Sequence, residues 1–552
     1  MITKNDLWKV TIMPNIIAYD LGTGGVKASL YNERLQTIAR SFVEYETFYP
    51  QPDWHEQRPD DWWKGIRETT KQLLASSRIA ASAIDCISLS GHSLVSVPVS
   101  RQAGCLQEYV PIWSDRRADK EAEHFFRLID EREWYMKTGN GFPAGCYPLF
   151  KLMWLNRHHP DLFARIDKVL GSKDYINYRL TGQLATDHSY ASGIGAYDLN
   201  KGQLMEEMLE AAGLSSELFP DIVPSHQIIG QVTAEASAYT GLQQGTPVAC
   251  GGVDNACMAL GAVGAKEGQV YMSLGSSSWI PVNSSQPVLD AQTRPYVFAH
   301  IAEGMYTSAY SIFAGGSSLR WVRDTLCMEL ADRADAYEQM NQWAADVPIG
   351  SNGIIFNPSL AGGSSQDRSV HIRGGYVGLH LGTTRADMIR AAMEGIAMNL
   401  RISLDQLQQH TRIENRMLIC GGGSQSPLWM QIFADIFGMD TVKTNIDQDA
   451  ASLGAAAIAA RTAGWWNDYR MIDTLHTVEN TFVPDPVCRE QYRQLMPVFR
   501  HVNQIAAQLG DYMHQHSISL EMNTAGKAGK IEKTDSASYP IGSVKGVSGY
   551  EW

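Results

Sequence analysis

The chain has 552 residues, enough for several domains of ordinary size. Its 44% hydrophobic and 19% charged residues supply ample material for a core and exclude a disordered chain. The 46 basic against 59 acidic residues give a formal charge of −13, which argues against a nucleic-acid backbone as the main partner.

No apolar run reaches the roughly 18 residues that a membrane helix needs. The opening MITKNDLWKVTI lacks the apolar centre of a signal peptide. The eight cysteines are scattered and form no CxxC, so neither a zinc ribbon nor a thioredoxin-type motif is present. They read as reduced, mostly buried thiols of a cytoplasmic protein.

Strand and helix signals alternate along the chain, which predicts an α/β architecture. NIIAYD (15–20) and VKASLY (26–31) flank the glycine-rich LGTGG, a hairpin with a permissive tip. An amphipathic helix is expected over 60–74, buried strands over 84–91 and 94–100, and helices over 152–156, 161–166 and 174–180. TPVACGGVDNACMALGAVGA (246–265) reads as strand, glycine turn and small-residue helix. QVYMSLGSSSWIPV (269–282) then repeats the order of the first hairpin, which suggests two related halves. Further on, a helix is expected over 386–400, a strand running into three glycines over 416–423, and helices over 426–438 and 451–463. From about 516 the composition turns to Ser, Gly and Lys, which predicts a disordered or loosely attached tail.

Four constellations could carry chemistry. In Asp20-Leu21-Gly22-Thr23-Gly24-Gly25-Val26-Lys27, glycine N–H groups, the Thr23 hydroxyl and the Lys27 charge could meet an anion, and Asp20 could hold Mg2+ through water. The plainer reading is a tight turn with a solvated lysine. In Gly251-Gly252-Val253-Asp254-Asn255, Asp254 is placed as a general base for a hydroxyl, or as a simple helix cap. Ser273 to Ser278, with Gly275 and Ser276 at its centre, is a second phosphate cradle or a serine-rich turn. Gly421-Gly422-Gly423-Ser424-Gln425-Ser426 could let a flat base lie on bare backbone, or is a tight strand-to-helix link. Neither GxGxxG nor GxxxxGK[ST] occurs there, which sets aside the dinucleotide fingerprint and the P-loop.

Taken together, DLGTxxxK, GGxDN, LGSSS and GGGxxSxxW stand in the order and spacing of the FGGY carbohydrate kinases, which the chain resembles over about residues 15–505. PQPDWHEQRPDDWW, PIWSDRRA and HHPDLFARIDKVLGSKDYINYRLTG resemble the xylulokinase branch in particular. The resemblance implies two ribonuclease H-like domains of the actin/hexokinase type with a cleft between them. It divides the chain into an extension (1–14), a sugar-binding domain (15–255), a nucleotide-binding domain (256–512) and a tail (513–552). It implies transfer of the ATP γ-phosphoryl group to a sugar or polyol hydroxyl with Mg2+, and a possible homodimer. Asp254 would be the base and Asp20 the Mg2+ ligand. Thr23, Gly24, Lys27, Gly275 and Ser276 would hold phosphates, with Gly422, Gly423 and Ser426 at the nucleoside. His92, Ser93, Leu94, Trp113, Asp115 and Asn255 would line the sugar side.

Two departures bear on substrate. Where xylulokinases carry Gln-Met-His, this chain has His92-Ser93-Leu94, so the sugar pocket's hydrogen-bond map differs. A Gly-Glu-Arg-x-Pro segment is replaced by Gly362-Gly363-Ser364-Ser365-Gln366-Asp367-Arg368. Gluconate, ribulose, erythritol and autoinducer-2 stand as alternative acceptors to a ketopentose. A non-catalytic sugar- or nucleotide-binding member of the fold is the alternative from another class.

Overall fold

The computed structural model describes residues 14–364, 366–446 and 449–525. The readings of an N-terminal extension and of a tail beyond 525 therefore lie outside the described residues. The architecture is two mixed α/β sheets with helices, laid out in the same order. In the first, the sequence across the sheet is Thr37–Glu44, Gly25–Asn32, Asn15–Gly22, Ile84–Gly91, Pro247–Ala249 and Ile228–Gln231. In the second it is Tyr306–Ile312, Ser278–Ser284, Val270–Leu274, Arg416–Cys420, Asp440–Thr444 and Val478–Phe482, with Tyr296–Ala299 added outside. The pairing senses match step by step: antiparallel, antiparallel, parallel, parallel, antiparallel. The repeat suggested by two glycine hairpins is thus a repeat of whole sheets. Central strands such as Asn15–Gly22 are apolar on both faces because both faces are covered.

Between the sheets lie two helices built from small residues, Asp254–Val263 and Ala450–Thr462. They cross so closely that a Cβ on Gly261 would stand 1.8 Å from the Ala450 carbonyl oxygen, and one on Gly454 2.0 Å from that of Cys257. Their shared core takes in Ala18 and Cys86 from the first sheet and Tyr271 and Cys420 from the second. Ala450–Thr462 belongs to the second half of the chain yet packs on Asn15–Gly22 and Ile84–Gly91. The domain boundary expected at 255/256 falls inside the first turn of Asp254–Val263.

The structure departs from the sequence reading in three places, the least of them the helix expected over 161–166, which is a single turn, Pro160–Phe163. The strand expected over 94–100 shortens to Val97–Ser100 and pairs with Lys168–Leu170 and Gly104–Cys105, outside the main sheet. Leu94 takes a left-handed conformation with φ of 58°, which breaks the run. The helix Pro486–Ala525 also continues past 516, where composition predicted loss of structure. Tertiary contacts fix the helix up to residue 514. Gly510 packs on the His371 backbone, Asp511 accepts from the Ser369 hydroxyl, and His514 stacks on His371 at 3.8 Å. Asp367, in the departing 362–368 segment, accepts from the Asn503 amide on the same helix. Six of the eight cysteines are buried. Among the described residues, no helix is long and apolar enough to cross a membrane.

The crossing yields a direct expectation. Gly454→Val places side-chain carbon against the Cys257 carbonyl, and overpacking of this kind costs about 1–3 kcal/mol or more. Urea unfolding should show that loss, whereas Gly241→Ala, at an open site with φ of 86°, should cost only the smaller strain of its backbone.

Candidate active site

The tip of the first hairpin is held from behind. The Leu21 carbonyl accepts from the His92 backbone N–H at 2.9 Å and from its ring Nδ1 at 3.1 Å. The Gly22 carbonyl accepts from the Tyr45 hydroxyl, and the Thr23 carbonyl from the Gln57 amide at 2.7 Å. Gln57 is itself oriented by the buried Trp62 indole, at 3.0 Å. Three successive carbonyls are therefore tied to the protein, which is what an anion site requires, since a carbonyl facing a phosphate repels it. The second hairpin follows the same rule. The Gly275 carbonyl accepts from the Gly316 N–H at 2.8 Å, that of Ser276 from the Ser317 N–H at 3.0 Å, and that of Ser277 from the Gly275 N–H at 3.1 Å.

Acidic groups gather at the strand ends of the first sheet. Asp20 is cross-strand neighbour to Lys27 and accepts from the Ser90 hydroxyl at 2.8 Å. Burial pushes its pKa up, against the pull of Lys27 and Ser90. Gly252–Val253 pairs with the end of the same strand, Ser90 and Gly91, and so delivers Asp254 beside Asp20. Burial, and then the Asp20 charge, push Asp254 up to about 7. Its carboxylate accepts from the Asn255 N–H at 2.8 Å. Lys27 is 3.3 Å from Asp449, at the start of the crossing helix Ala450–Thr462, and Asp449 also pairs with Arg40. Oxygen donors of this kind suit a hard cation such as Mg2+ shared with phosphates. Among the described residues, no cluster of three metal-ligating side chains occurs.

The late glycine run is equally constrained. Gly421 has φ of 96°, and a Cβ on Gly423 would stand 2.2 Å from the Leu274 side chain. Gly422 and Gly423 are half-buried, so bare backbone is presented there. Ser426 caps Pro427–Phe437 by accepting from the Trp429 N–H at 3.1 Å, and bonds Asn341 at 3.0 Å. Because Val270–Leu274 and Arg416–Cys420 run parallel, this run and the second hairpin share one end of the second sheet.

On the expected sugar side the residues divide. Trp113 is 36% exposed and donates from its indole to the Thr23 hydroxyl at 3.0 Å, linking that loop to the first hairpin. Asn255 is half-buried beside Asp254. His92, by contrast, is 1% exposed and braces Leu21, and burial lowers its pKa to about 4, so it is neutral. Leu94 packs in the core with Tyr147 and Leu149, and its carbonyl accepts from the buried Lys151 at 2.9 Å. Ser93 is buried at the same bend. Asp115 has no exposure. It accepts from the His55 N–H at 2.7 Å and from the Arg117 guanidinium at 2.8 and 2.9 Å. Arg117 stacks on Trp54 at 3.8 Å. Asp115 therefore shapes the loop that presents Trp113. Tyr45, Gln57, Ser90 and Asp449 were not singled out from the sequence. They share no motif, and only Gln57 lies inside a quoted segment.

Family models match both halves: "FGGY family of carbohydrate kinases, N-terminal domain" over residues 15–261 and the C-terminal domain of the same family over 270–463. A xylulose kinase of Bacillus subtilis (strain 168) is 29% identical over 493 residues, 89% of this chain and 97% of its own. An autoinducer-2 kinase of Klebsiella pneumoniae is 28% identical, covering 90% of this chain and 95% of its own. The crystal structure of a xylulose kinase from Rhodospirillum rubrum superposes with a TM-score of 0.81 at 28% identity, over 91% of this chain and all of the other.

The raised Asp254 pKa sets a pH dependence. In an unfolded chain an aspartate titrates near 4, in the folded chain at about 7, so between those values the native state binds the extra proton. Charging Asp254 therefore destabilises the folded protein as pH rises from about 4 through 7. Asp254→Asn should raise the thermal midpoint relative to the parent at pH 8 and not at pH 4. An unchanged difference across that range would remove the shift.

Proposed function

The chain belongs to the FGGY family of carbohydrate kinases, and from that premise we propose that it transfers the γ-phosphoryl group of ATP to a hydroxyl of a ketopentose such as xylulose, or of a related sugar or polyol. The observation that carries this reading is the placement of the Asp254 carboxyl beside Asp20 at the strand ends, where burial raises its pKa to about 7. A general base works best when its pKa lies near the working pH. Asp254 takes the proton of the acceptor hydroxyl as its oxygen bonds to the γ-phosphorus. The bond to the bridging oxygen breaks, and ADP leaves with that electron pair. Asp20 would hold Mg2+, which supplies positive charge to the phosphate oxygens.

The chain's own contribution is positioning and charge. Thr23, Gly24 and Lys27 hold the phosphates from the first half, and Gly275 and Ser276 from the second. Gly422, Gly423 and Ser426 receive the nucleoside. Residues 15–255 act as the acceptor half and 256–512 as the nucleotide half. Closure of the two excludes water, which competes as acceptor.

The acceptor meets Asp254, Asn255, Trp113 and the bend at Ser93. None of these carries a positive charge, and Arg117 and Lys151 are already bound to protein partners. That set favours a neutral sugar or polyol over a sugar acid such as gluconate.

A coupled ADP-release screen over ketoses, alditols and aldonates with Mg-ATP should give turnover with a neutral ketose or polyol. Asp254→Asn should lower that turnover about 10²–10⁴-fold, the usual range for general-base loss, with nucleotide binding retained. Equal turnover by the variant would remove Asp254 from the role. ADP release from no acceptor would favour a binding protein.

A further inference from the structure

The turn that delivers Asp254 could not hold itself. Gly251 has φ of 77°, and a Cβ there would stand 2.2 Å from the Leu89 carbonyl oxygen. The backbone polar groups leading into the helix are instead tied off one by one. The Cys250 N–H donates to the Gln227 carbonyl at 2.9 Å, and the Gly251 N–H to that of Ser225 at 2.9 Å. The Cys250 carbonyl accepts from the Asn177 amide at 2.8 Å and from the Lys173 ammonium at 3.2 Å. The Val253 N–H, immediately before Asp254, donates to the Ser189 hydroxyl oxygen at 3.0 Å.

These partners form one buried polar cluster. Lys173 is paired with Asp174 and lies 3.1 Å from Asp187, and none of the three is exposed by more than 2%. Asp187 accepts from the Ser189 hydroxyl, from the Ser189 N–H at 3.0 Å and from the Ser225 hydroxyl at 2.8 Å. The Ser189 hydroxyl thus points its proton at Asp187 and its lone pair at Val253. A buried ion cluster is a poor source of stability, because removing its charges from water costs as much as their attraction returns. What it supplies here is direction: a charge-fixed hydroxyl with one orientation, set against the amide next to the base.

Resting on the reading of Asp254 as base, we propose that Ser189, oriented by Asp187 and Lys173, is a positioning residue that fixes where the Asp254 carboxylate stands. It touches neither substrate, and its effect is on the chemical step.

Ser225 provides a matched control, since its hydroxyl also bonds Asp187, while it bonds the base-bearing turn through its backbone carbonyl, which Ser225→Ala keeps. In the full chain with Mg-ATP and the acceptor found by the screen, Ser189→Ala should lower kcat about 10–10²-fold, the scale of a misplacement near 1 Å. KM for ATP should stay unchanged. Ser189→Thr, which keeps the hydroxyl, should restore kcat, and Ser189→Cys should fall between. Ser225→Ala should lose comparable thermal stability with kcat within twofold of the parent. Equal kcat losses in Ser189→Ala and Ser225→Ala would overturn the proposal, as would full kcat in folded Ser189→Ala or Ser189→Cys. Full turnover by Asp254→Asn would instead defeat the reading of the base itself, so the two failures are distinguishable.

Discussion

The approach of two helices without side chains between them governs this molecule. Asp254–Val263 and Ala450–Thr462 touch where Gly261 meets the backbone at Ala450 and Gly454 meets that of Cys257. A single methyl group at either glycine would force the helices apart. Because each helix also packs on a sheet, the crossing sets how the two halves stand to one another. The first residue of one helix is Asp254, and the residue before the other is Asp449, which binds Lys27. The charged groups at the strand ends are thus attached to the joint itself.

From the joint outward, the fold uses one device twice. In each half a glycine hairpin ends a central strand, and in each the tip carbonyls are hydrogen-bonded inward. The partners differ: His92, Tyr45 and Gln57 in the first half, the start of the helix Gly316–Leu326 in the second. The result is the same electrostatic arrangement, with carbonyl oxygens held away from where phosphate oxygens would come. Burying Asp20 and Asp254 at the strand ends disfavours their charged forms and raises both pKa values, with the Asp20 charge a second cause at Asp254. Functional sites commonly keep such shifts.

Much of this was legible in the sequence where a local pattern fixes local structure. The hairpin 15–31, the strand 84–91, the small-residue helices and the glycine runs carry their own period and turn chemistry, and they fold as read. The local signal at Asp254 reads equally as a helix cap, and its reading as a base comes from the combination of motifs that resembles the family. What the local pattern does not fix is set by long-range contact. Leu94 was assigned to a strand on its apolar neighbours, yet a left-handed bend sends it into another core. His92 braces Leu21 through Nδ1 across the sheet, and its other ring nitrogen, Nε2, is buried without a hydrogen-bond partner among the described residues. Asp115 pairs with Arg117, two residues on, and with the His55 N–H, contacts that the motif alone does not announce. The stretch of helix 486–525 up to residue 514 packs on residues near 370, a contact that its composition does not announce. Lys173, Asp187 and Ser189 meet the turn that carries Asp254 only through the fold, with no spacing to announce it.

The account stands or falls on where the Asp254 carboxylate sits relative to both substrates. A crystal structure with a non-hydrolysable ATP analogue, Mg2+ and the acceptor sugar measures that directly. The account predicts the terminal phosphate between the tips at Thr23 and Ser276, with an Asp254 oxygen in hydrogen-bond reach of the acceptor hydroxyl. A terminal phosphate bound away from either tip, or an Asp254 carboxylate turned from the acceptor, would contradict it.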